Sequence, residues 1–241
     1  MSAFDSPHQL GVRGASQKNI EAVDPSFLRE SLLEARKQTM RLYSEIERNL
    51  VEGIDEVAAR VLANSIARDL GATKHWHQPY IRFGTGTTLS YRQPLIEQNI
   101  LKPGMLVSID LGPVWKSSSS ELEYEGDFGN SFVFGENPEA QKCIDWTRAL
   151  FAEGKKLWQE HKLTGQEIYD FFRKKCHEGG YRMGEDFSGH RLSDFPHHQY
   201  TKERLTNVPF TPIEGAWVLE IQVNDSADRF GAFYEDLLWS E

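Results

Sequence analysis

Apolar residues recur at helical spacing in the first third of the chain. The stretch 25–50 (PSFLRESLLEARKQTMRLYSEIERNL) combines apolar positions with charges of both signs, which is the pattern of a long amphipathic helix. Gly53 interrupts this pattern, and the stretch 53–72 (GIDEVAARVLANSIARDLGA) predicts a second helix that Gly71 closes. The sequence therefore predicts two consecutive helices near its start.

A second helix pair is predicted in the middle of the chain, over 137–152 and 165–178. Asn137 followed by Pro138 is typical of a helix start, because asparagine caps the helix and proline fits its first turn. The sequence TGQE, which begins at Thr164, has the spacing of a capping box for the following helix.

Short apolar runs bounded by turn residues follow each helix pair and predict strands. After the first pair the predicted strands lie in 77–93, which also contains a turn, and in MLVSIDL and YEGDFGNSFVFG, with WKSSSSELE as the hairpin loop between the last two. After the second pair they are HHQYTK, GAWVLEIQV and GAFYEDLLW. The order of two helices, strands, two helices and strands predicts an α+β domain with two similar halves.

Composition narrows the classes of partner and compartment. A net charge of −9 and a pI near 5.4 argue against a nucleic-acid or anionic-membrane partner, because both bind clustered Lys and Arg. No apolar run approaches the roughly 18 residues of a membrane span, and the opening segment lacks the apolar region of a secretory signal. We expect a tail over 1–24 and one domain over 25–241. Cys143 and Cys176 form no CxxC pair, which favours a reducing, cytoplasmic location and leaves a single disulfide as the alternative.

Four acidic residues stand in apolar strands where a hydrophobic residue is the default: Asp110, Asp127, Glu220 and Glu235. A buried charge is costly unless it is paired or binds a metal. Together with His190, in the stretch GHRLSDFPHH, these acids suit two divalent ions such as Mn, Fe, Co or Zn. Taken one at a time, each acid favours a turn cap or a salt bridge, and the histidine favours a satisfied core position. The ordered set of five favours a metal site.

The same segments resemble a known family. LKPGMLVSIDLGPVW…YEGDFGNSFVFG is similar to the part of methionine aminopeptidases, prolidases and creatinases in which a Lys-Pro-Gly turn leads to a first Asp and a second Asp follows. GHRLSDFPHH resembles the Gly-His motif of that family, and FYEDLLW resembles its final Glu-Asp strand. The resemblance runs from about residue 28 to the end of the sequence. It implies the pita-bread fold, in which two pseudo-symmetric α+β halves surround a curved antiparallel sheet with a dinuclear metal site in its concavity.

The resemblance also implies a role for each ligand. Asp127 and Glu235 would bridge both ions. Asp110 would bind only one ion, and His190 with Glu220 would bind the other. The oxygen and nitrogen donors leave the identity of the metal open, with manganese among the candidates.

The reaction implied is hydrolysis of a peptide or peptide-like amide bond by a metal-bridging hydroxide. Glu220 would act as the general base. His197, which follows His190 by seven positions, would hydrogen-bond the substrate carbonyl or the developing oxyanion.

Two departures from the family pattern concern the ligands. Asp110 and Asp127 stand 17 positions apart, which is wider than in the family, and the longer hairpin loop accounts for the difference. The strand GAWVLEIQV offers both Glu220 and Gln222 for the family's Glu. Both share one strand face, and because a neutral amide is a poor ligand and no base, Glu220 is favoured.

Other departures concern the substrate pocket. Tyr91 stands where aminopeptidases and prolidases carry a His, and a phenol titrates near ~10, so that protonation of the leaving group would change. Arg191 would either read an acidic substrate group or pair with Asp194, and the ion pair is favoured.

The stretch KHWHQPYIRFG adds two further pocket candidates. His77 and Arg82 there would line the pocket, or would form the polar flank of an aromatic core strand. His198, beside His197, is the last pocket candidate.

Three hypotheses of function follow from these residues. The first is an aminopeptidase- or dipeptidase-like enzyme without the additional N-terminal domain of prolidases and creatinases. The second keeps the fold and the metals but acts on a small non-peptide amide or another metabolite, and the replacement at Tyr91 motivates it. The third is a non-catalytic peptide-binding module, which the complete ligand set disfavours. The oligomeric state stays open, with a homodimer among the alternatives.

Overall fold

The computed structural model of the protein describes residues 20–23, 25–192 and 201–240. Within these ranges the chain forms four long helices: α1 (Arg29–Asn49), α2 (Glu56–Asp69), α3 (Pro138–His161) and α4 (Gly165–Glu178). All four coincide with predicted helices. The predicted caps are confirmed, since the Asn137 side chain accepts a hydrogen bond from the Ala140 amide and Thr164 and Glu167 form a reciprocal capping box.

Helix α3 is longer than the sequence pattern predicts. It continues past residue 152 to His161, because Gly154 and Trp158 extend its buried face by two turns. Lys162, in the left-handed conformation with φ of 56°, then caps the helix by donating its amide to the Trp158 carbonyl.

The strands form one antiparallel sheet. They are β1 (Lys74–Phe83), β2 (Met105–Lys116), β3 (Glu123–Glu125), β4 (Phe128–Phe134), β5 (Arg182–Met183), β6 (His190–Arg191), β7 (Trp217–Asn224) and β8 (Gly231–Leu237). The order across the sheet is β1-β2-β4-β8-β7-β5, with β3 paired to β2 and β6 paired to β7. The first half of the chain supplies β1, β2 and β4, and the second half supplies β5, β7 and β8. In each half the first of these strands lies at an edge of the sheet, and the halves meet where β4 pairs with β8. This arrangement confirms the predicted α+β class and its two similar halves.

The two faces of the sheet differ in chemistry. On β2, Val107, Ile109 and Leu111 belong to a hydrophobic core shared with α1 and α2, so the residues between them point to the opposite face. On β7, Leu219 and Ile221 belong to a second core shared with α3 and α4. Each helix pair therefore covers one half of the sheet. Asp110, Glu220 and Glu235 lie on the face that the helices leave open, whereas Asp236 of β8 faces α1 and pairs with Arg36.

Three details of the predicted organisation can be compared with the structure. The stretch HHQYTK is predicted as a strand, but residues 201–202 carry no strand hydrogen bonding, and its two histidines lie outside the described residues. The division into a tail over 1–24 and a domain over 25–241 stays a prediction; within 20–23, Ile20 is buried in the core and Glu21 accepts a hydrogen bond from the Ile213 amide. Cys143 and Cys176 are both free and buried, so the alternative of a disulfide is excluded.

The loop between β2 and β3 forms as the sequence indicates. The Ser117 amide donates to the Leu122 carbonyl at 2.9 Å and closes the polar segment into a hairpin. Asp110 and Asp127 lie on either side of this hairpin and meet on one sheet face in spite of their long separation in sequence. Among the described helices, none combines the length and apolar character needed to cross a membrane.

Candidate metal centre

A row of acidic residues crosses the middle of the sheet. In the strand register Asp110 pairs with Gly129, Gly129 with Glu235, and Glu235 with Glu220. Gly129 has no side chain, and a Cβ atom there would lie 2.3 Å from the Phe233 ring and 3.2 Å from a Glu235 oxygen. Because Gly129 leaves a gap in the row, the carboxylates of Asp110 on β2, Glu235 on β8 and Glu220 on β7 can turn towards one another on the open face.

Asp127, which immediately precedes β4, lies at the centre of this group. Its Oδ2 atom is 3.1 Å from Nε2 of His190, and its Oδ1 atom is 4.0 Å from Nε2 of His77. Glu235 joins the His190 side, at 3.7 Å from Nε2, and Asp110 joins the His77 side, at 3.4 Å. Asp127 thus presents one oxygen to each of two neighbouring clusters.

Both clusters have the composition of a metal site. In each of them, one ligand atom from every residue lies within 4.8 Å of the others: His77, Asp110 and Asp127 in the first, and Asp127, His190 and Glu235 in the second. Oxygen and imidazole donors in such sets suit divalent transition ions.

Unsatisfied oxygens in the two clusters support this interpretation. Both oxygens of Asp127, Oδ1 of Asp110 and Oε2 of Glu235 are buried and have no hydrogen-bond partner among the described residues. Buried carboxylate oxygens normally find partners, because an unpaired buried charge is costly. The donor set therefore fits two divalent ions that share Asp127.

The electrostatics of the clusters follow from their burial and crowding. Burial favours a raised pKa for Asp127, but the adjacent His190 and His77 outweigh it and hold the pKa below its usual value. The pKa of Glu235 is raised by burial and by the neighbouring Asp127 and Asp110. Burial lowers the pKa of His77, yet Asp110 and Asp127 outweigh it and raise that pKa to about 10. Several buried carboxylates this close together repel one another, so they are stable only when protons or cations lie between them.

Glu220 lies at the edge of this group and already has two partners. Its Oε1 atom accepts a 2.9 Å hydrogen bond from the Gly189 amide and lies 3.4 Å from Nη1 of Arg204. It belongs to neither of the two tight clusters. Gln222, the other residue considered for this position, instead donates its amide to the carbonyls of Thr87 and Leu89.

An open cavity of about 330 Å³ lies over the clusters. Its lining includes the aromatic residues Trp76, Tyr80, Tyr91 and Phe187 and the basic residues Lys202 and Arg204. His77, Asp110, His190, Glu220 and Glu235 form the rest of the lining. The candidate metal centre is thus accessible to a small molecule from the open face of the sheet.

Comparison with known proteins places this geometry in a family. The model of metallopeptidase family M24 matches residues 30–238. The chain belongs to metallopeptidase family M24.

Solved structures of M24-type peptidases have the same fold. The X-Pro aminopeptidase from Thermotoga maritima matches with a TM-score of 0.73 at 16% identity, over 93% of this chain and 64% of its own. The prolidase from Pyrococcus horikoshii OT3 matches with a TM-score of 0.67 at 18% identity, over 86% of this chain and 57% of its own. The methionine aminopeptidase from Thermotoga maritima matches with a TM-score of 0.67 at 16% identity, over 92% of this chain and all of its own length. These likenesses confirm the pita-bread fold, and the chain matches no curated protein by overall sequence.

The M24 ligands expected from the sequence lie together in space. Asp110, Asp127, His190 and Glu235 form the clusters, and Glu220 lies beside them on the next strand. The histidine expected to contact the substrate, His197, and the pocket candidate His198 lie outside the described residues.

Two of the expected pocket residues have other positions. The buried guanidinium of Arg191 donates to the carbonyls of Ile20, Ala22, Leu192 and Ala216, so it binds the N-terminal segment to the domain and does not line the cavity. Its expected partner, Asp194, lies outside the described residues. Strand alternation explains the correction, because consecutive residues of β6 point to opposite faces and His190 occupies the site face.

Arg82 also differs from its expected role. It donates to the carbonyls of Ser90, Gln93 and Pro94 and so holds the loop that carries Tyr91. It lines a small void that shares Tyr91 and Asp110 with the lining of the main cavity, and it does not line the main cavity itself. Its action on the pocket is indirect, through the position of Tyr91.

Sequence reasoning missed two aspects of this M24 site. Arg204 lies in KERL, a polar stretch without periodicity, and only the fold brings it to Glu220. His77 was a pocket candidate, yet it belongs to the first cluster with Asp110 and Asp127. The spacing of His75 and His77 on a strand matches no ligand motif of the family, so the sequence did not indicate that His77 lies in the cluster.

Proposed function

We propose that this chain is a dinuclear metal-dependent hydrolase that cleaves a peptide or peptide-like amide bond. The observation that carries the proposal is the position of Asp127, whose two oxygens each face a separate cluster of one imidazole and one further carboxylate. Two divalent ions held there would supply an activated water and polarise the scissile carbonyl.

The residues of this chain would prepare the rest of the reaction. Glu220 lies across the strand pair from Glu235 and lines the cavity, so it is in position to take a proton from the attacking water or to complete the His190 cluster. The aromatic residues of the lining would exclude water from the bond that is cleaved, and Lys202 and Arg204 would favour substrates with negative charge near that bond.

A peptide substrate has independent support. Membership of family M24 and the likeness to X-Pro aminopeptidase, prolidase and methionine aminopeptidase structures all point to peptides. The unsatisfied buried carboxylates argue against a non-catalytic binding module, because a protein without metals would have to stabilise them in another way.

One observation favours the second candidate function, hydrolysis of a small non-peptide amide. Tyr91 occupies the position of the family's histidine and accepts a 2.5 Å hydrogen bond from Arg204. A phenol is in general a weaker acid than an imidazolium, so leaving groups that need no protonation would be favoured.

The test is metal-dependent cleavage by the purified protein. The chain is stripped with a chelator, reloaded with Mn, Fe, Co or Zn in turn, and incubated with a library of short peptides, Xaa-Pro dipeptides and small non-peptide amides, with products read by mass spectrometry. We expect cleavage of peptides only in the reloaded protein. Asp127→Ala should lose both metals and all cleavage, while Asp145→Ala, an exposed acid on α3, should lose neither. Absence of bound metal and of any metal-induced rise in Tm would overturn the proposal, and cleavage of amides alone would favour the second candidate.

A further inference from the structure

We propose that His77 is a metal ligand, so that each of two ions is held by one imidazole and the ions share Asp127. This inference rests on the proposed dinuclear site and adds a donor that the family resemblance does not supply. Each cluster would then consist of one histidine, one carboxylate of its own and one oxygen of Asp127: His77 with Asp110, and His190 with Glu235.

The backbone of β1 turns His77 towards this position. The pairing of β1 with β2 shifts register between His75 and His77 and again between His77 and Tyr80. Such irregularities redirect a side chain, and they commonly occur beside functional sites. Here the shift places His77 opposite Gly112 of β2, two residues beyond Asp110 on the same face.

Gly112 provides the space that the imidazole occupies. A Cβ atom at this position would lie 2.5 Å from Cδ2 and 2.6 Å from Nε2 of His77, which is closer than any real contact. The ring therefore lies across the glycine, and its Nε2 atom reaches over the β2 backbone to the carboxylates. A larger residue at position 112 would displace the ring from the cluster.

The two histidines present the same nitrogen to the centre. Nδ1 of His77 lies 3.0 Å from the carbonyl of Gln78, and Nδ1 of His190 lies 3.3 Å from the carbonyl of Arg191. A carbonyl beside Nδ1 favours the tautomer that carries its proton there, which leaves the lone pair of Nε2 free for a metal. In both cases Nε2 is the atom that faces Asp127.

The distances favour a ligand over a simple salt bridge. Nε2 of His77 lies 3.4 Å from Asp110 and 4.0 Å from Asp127, beyond the ~3.2 Å limit of a normal N–H···O hydrogen bond. Donors held at about 2.1 Å from one ion lie about 3.0 to 3.4 Å from each other. The triangle formed by these three atoms needs only a small contraction to hold an ion.

A second imidazole changes which metals the site prefers. Carboxylate oxygens alone suit Mg or Mn, whereas imidazole nitrogen shifts preference towards Zn, Co, Ni and Fe. We therefore expect the His77 cluster to prefer zinc or cobalt to manganese and magnesium.

The experiment counts imidazoles on the metal. Protein stripped with chelator is loaded with two equivalents of zinc, and X-ray absorption measures the imidazoles per ion. The wild type should show one imidazole per zinc, and His77→Asn should show half of that. His75→Asn, two positions away and outside the cavity lining, should match the wild type.

Calorimetric titration with zinc gives an independent measure. His77→Asn should lose affinity at one site by more than the roughly 10- to 100-fold that loss of an outer hydrogen-bond partner costs a metal site. Circular dichroism and Tm of the metal-free variants confirm that both fold.

The outcomes separate this inference from the proposed function. If the wild type binds two zinc ions but shows an average of only half an imidazole per ion, the role of His77 is overturned and the dinuclear site stands. The same holds for unchanged affinity at both sites in His77→Asn. A wild type that binds no zinc, cobalt or manganese would overturn the dinuclear site itself, and the role of His77 with it.

Discussion

The Nη1 atom of Arg204 lies 3.4 Å from Oε1 of Glu220, and the two side chains share the edge of the metal centre. The same guanidinium donates to the hydroxyl of Tyr91 at 2.5 Å and lies over its ring at 5.1 Å. Arg204 therefore connects a candidate ligand to Tyr91, which the family resemblance predicts to stand in place of a histidine. A fixed cation beside a carboxylate competes with any metal ion for it.

The first prediction concerns this competition. Arg204→Met should raise zinc affinity at the His190 cluster by about tenfold, equal to ~1.4 kcal/mol, because the fixed positive charge beside Glu220 is removed. Calorimetric titration of the metal-free protein measures the change. Lys202→Met, which removes a charge from the same cavity, is the matched control and should have a smaller effect. An unchanged or weaker affinity in Arg204→Met would show that Arg204 holds Glu220 in place and does not compete for it.

The second prediction concerns Gly112. Gly112→Ala should weaken metal binding at the His77 cluster to the same degree as His77→Asn, because the new methyl group would lie 2.5 Å from the imidazole. Zinc titration measures this. Gly180→Ala is the control, since Gly180 has a φ of 75° and open space around it, so its substitution should lower Tm and leave zinc affinity unchanged. Full zinc affinity in Gly112→Ala would contradict the assigned position of the His77 ring.

The third prediction concerns the two cysteines. Burial raises the pKa of Cys143 to about 11 and that of Cys176 to about 12. Because the thiolate is the reactive form, neither should react with a thiol reagent at pH 8 in the folded protein, and both should react at once in guanidinium chloride. Spectrophotometric titration of thiols over time measures this. Rapid reaction of one thiol in the native state would show that its helix opens without global unfolding.

The fourth prediction concerns acid stability at the end of β7. Burial favours a raised pKa for Asp225, but hydrogen bonds from the Arg229 side chain and the amides of Arg229 and Phe230 outweigh it, so its pKa in the folded protein is lowered. A carboxylate with a depressed pKa stabilises the fold above its unfolded pKa of ~3.9 and loses that contribution as the pH falls through its folded value.

Urea denaturation at several pH values tests this. The difference in unfolding free energy between wild type and Asp225→Asn should be constant near neutral pH and should shrink below about pH 4. Arg229→Gln should lose part of the same acid-dependent component. The substitution removes the hydrogen bond from the Arg229 side chain to Asp225 and keeps the one from the backbone amide. A difference that stays constant down to pH 2 would exclude the depressed pKa as its source.

Local patterns in the sequence were sufficient for most of the secondary structure. Helix periodicity, the Asn137 cap and the Thr164 capping box act within a few residues, and all of them form as predicted. Acids in apolar strands were also informative, because burial makes them costly without a partner and so marks Asp110, Asp127, Glu220 and Glu235 as candidates. The α+β class and a metal site could be inferred on this basis, whereas the pita-bread fold and the family followed from the resemblance of whole motifs to a known family.

The arrangement of the site depended on contacts between residues far apart in sequence. The sequence alone marked four acids in apolar strands as candidates, since apolar periodicity is a property of neighbouring residues, but it did not mark other buried acids such as Glu56 and Asp236. Only the tertiary structure decided that Arg191 binds the N-terminal segment, that Arg204 reaches Glu220 and that Gly112 leaves room for His77 beside Asp110. These relationships depend on strand register and on the packing of one strand against another, and neither is written in the periodicity of a single segment.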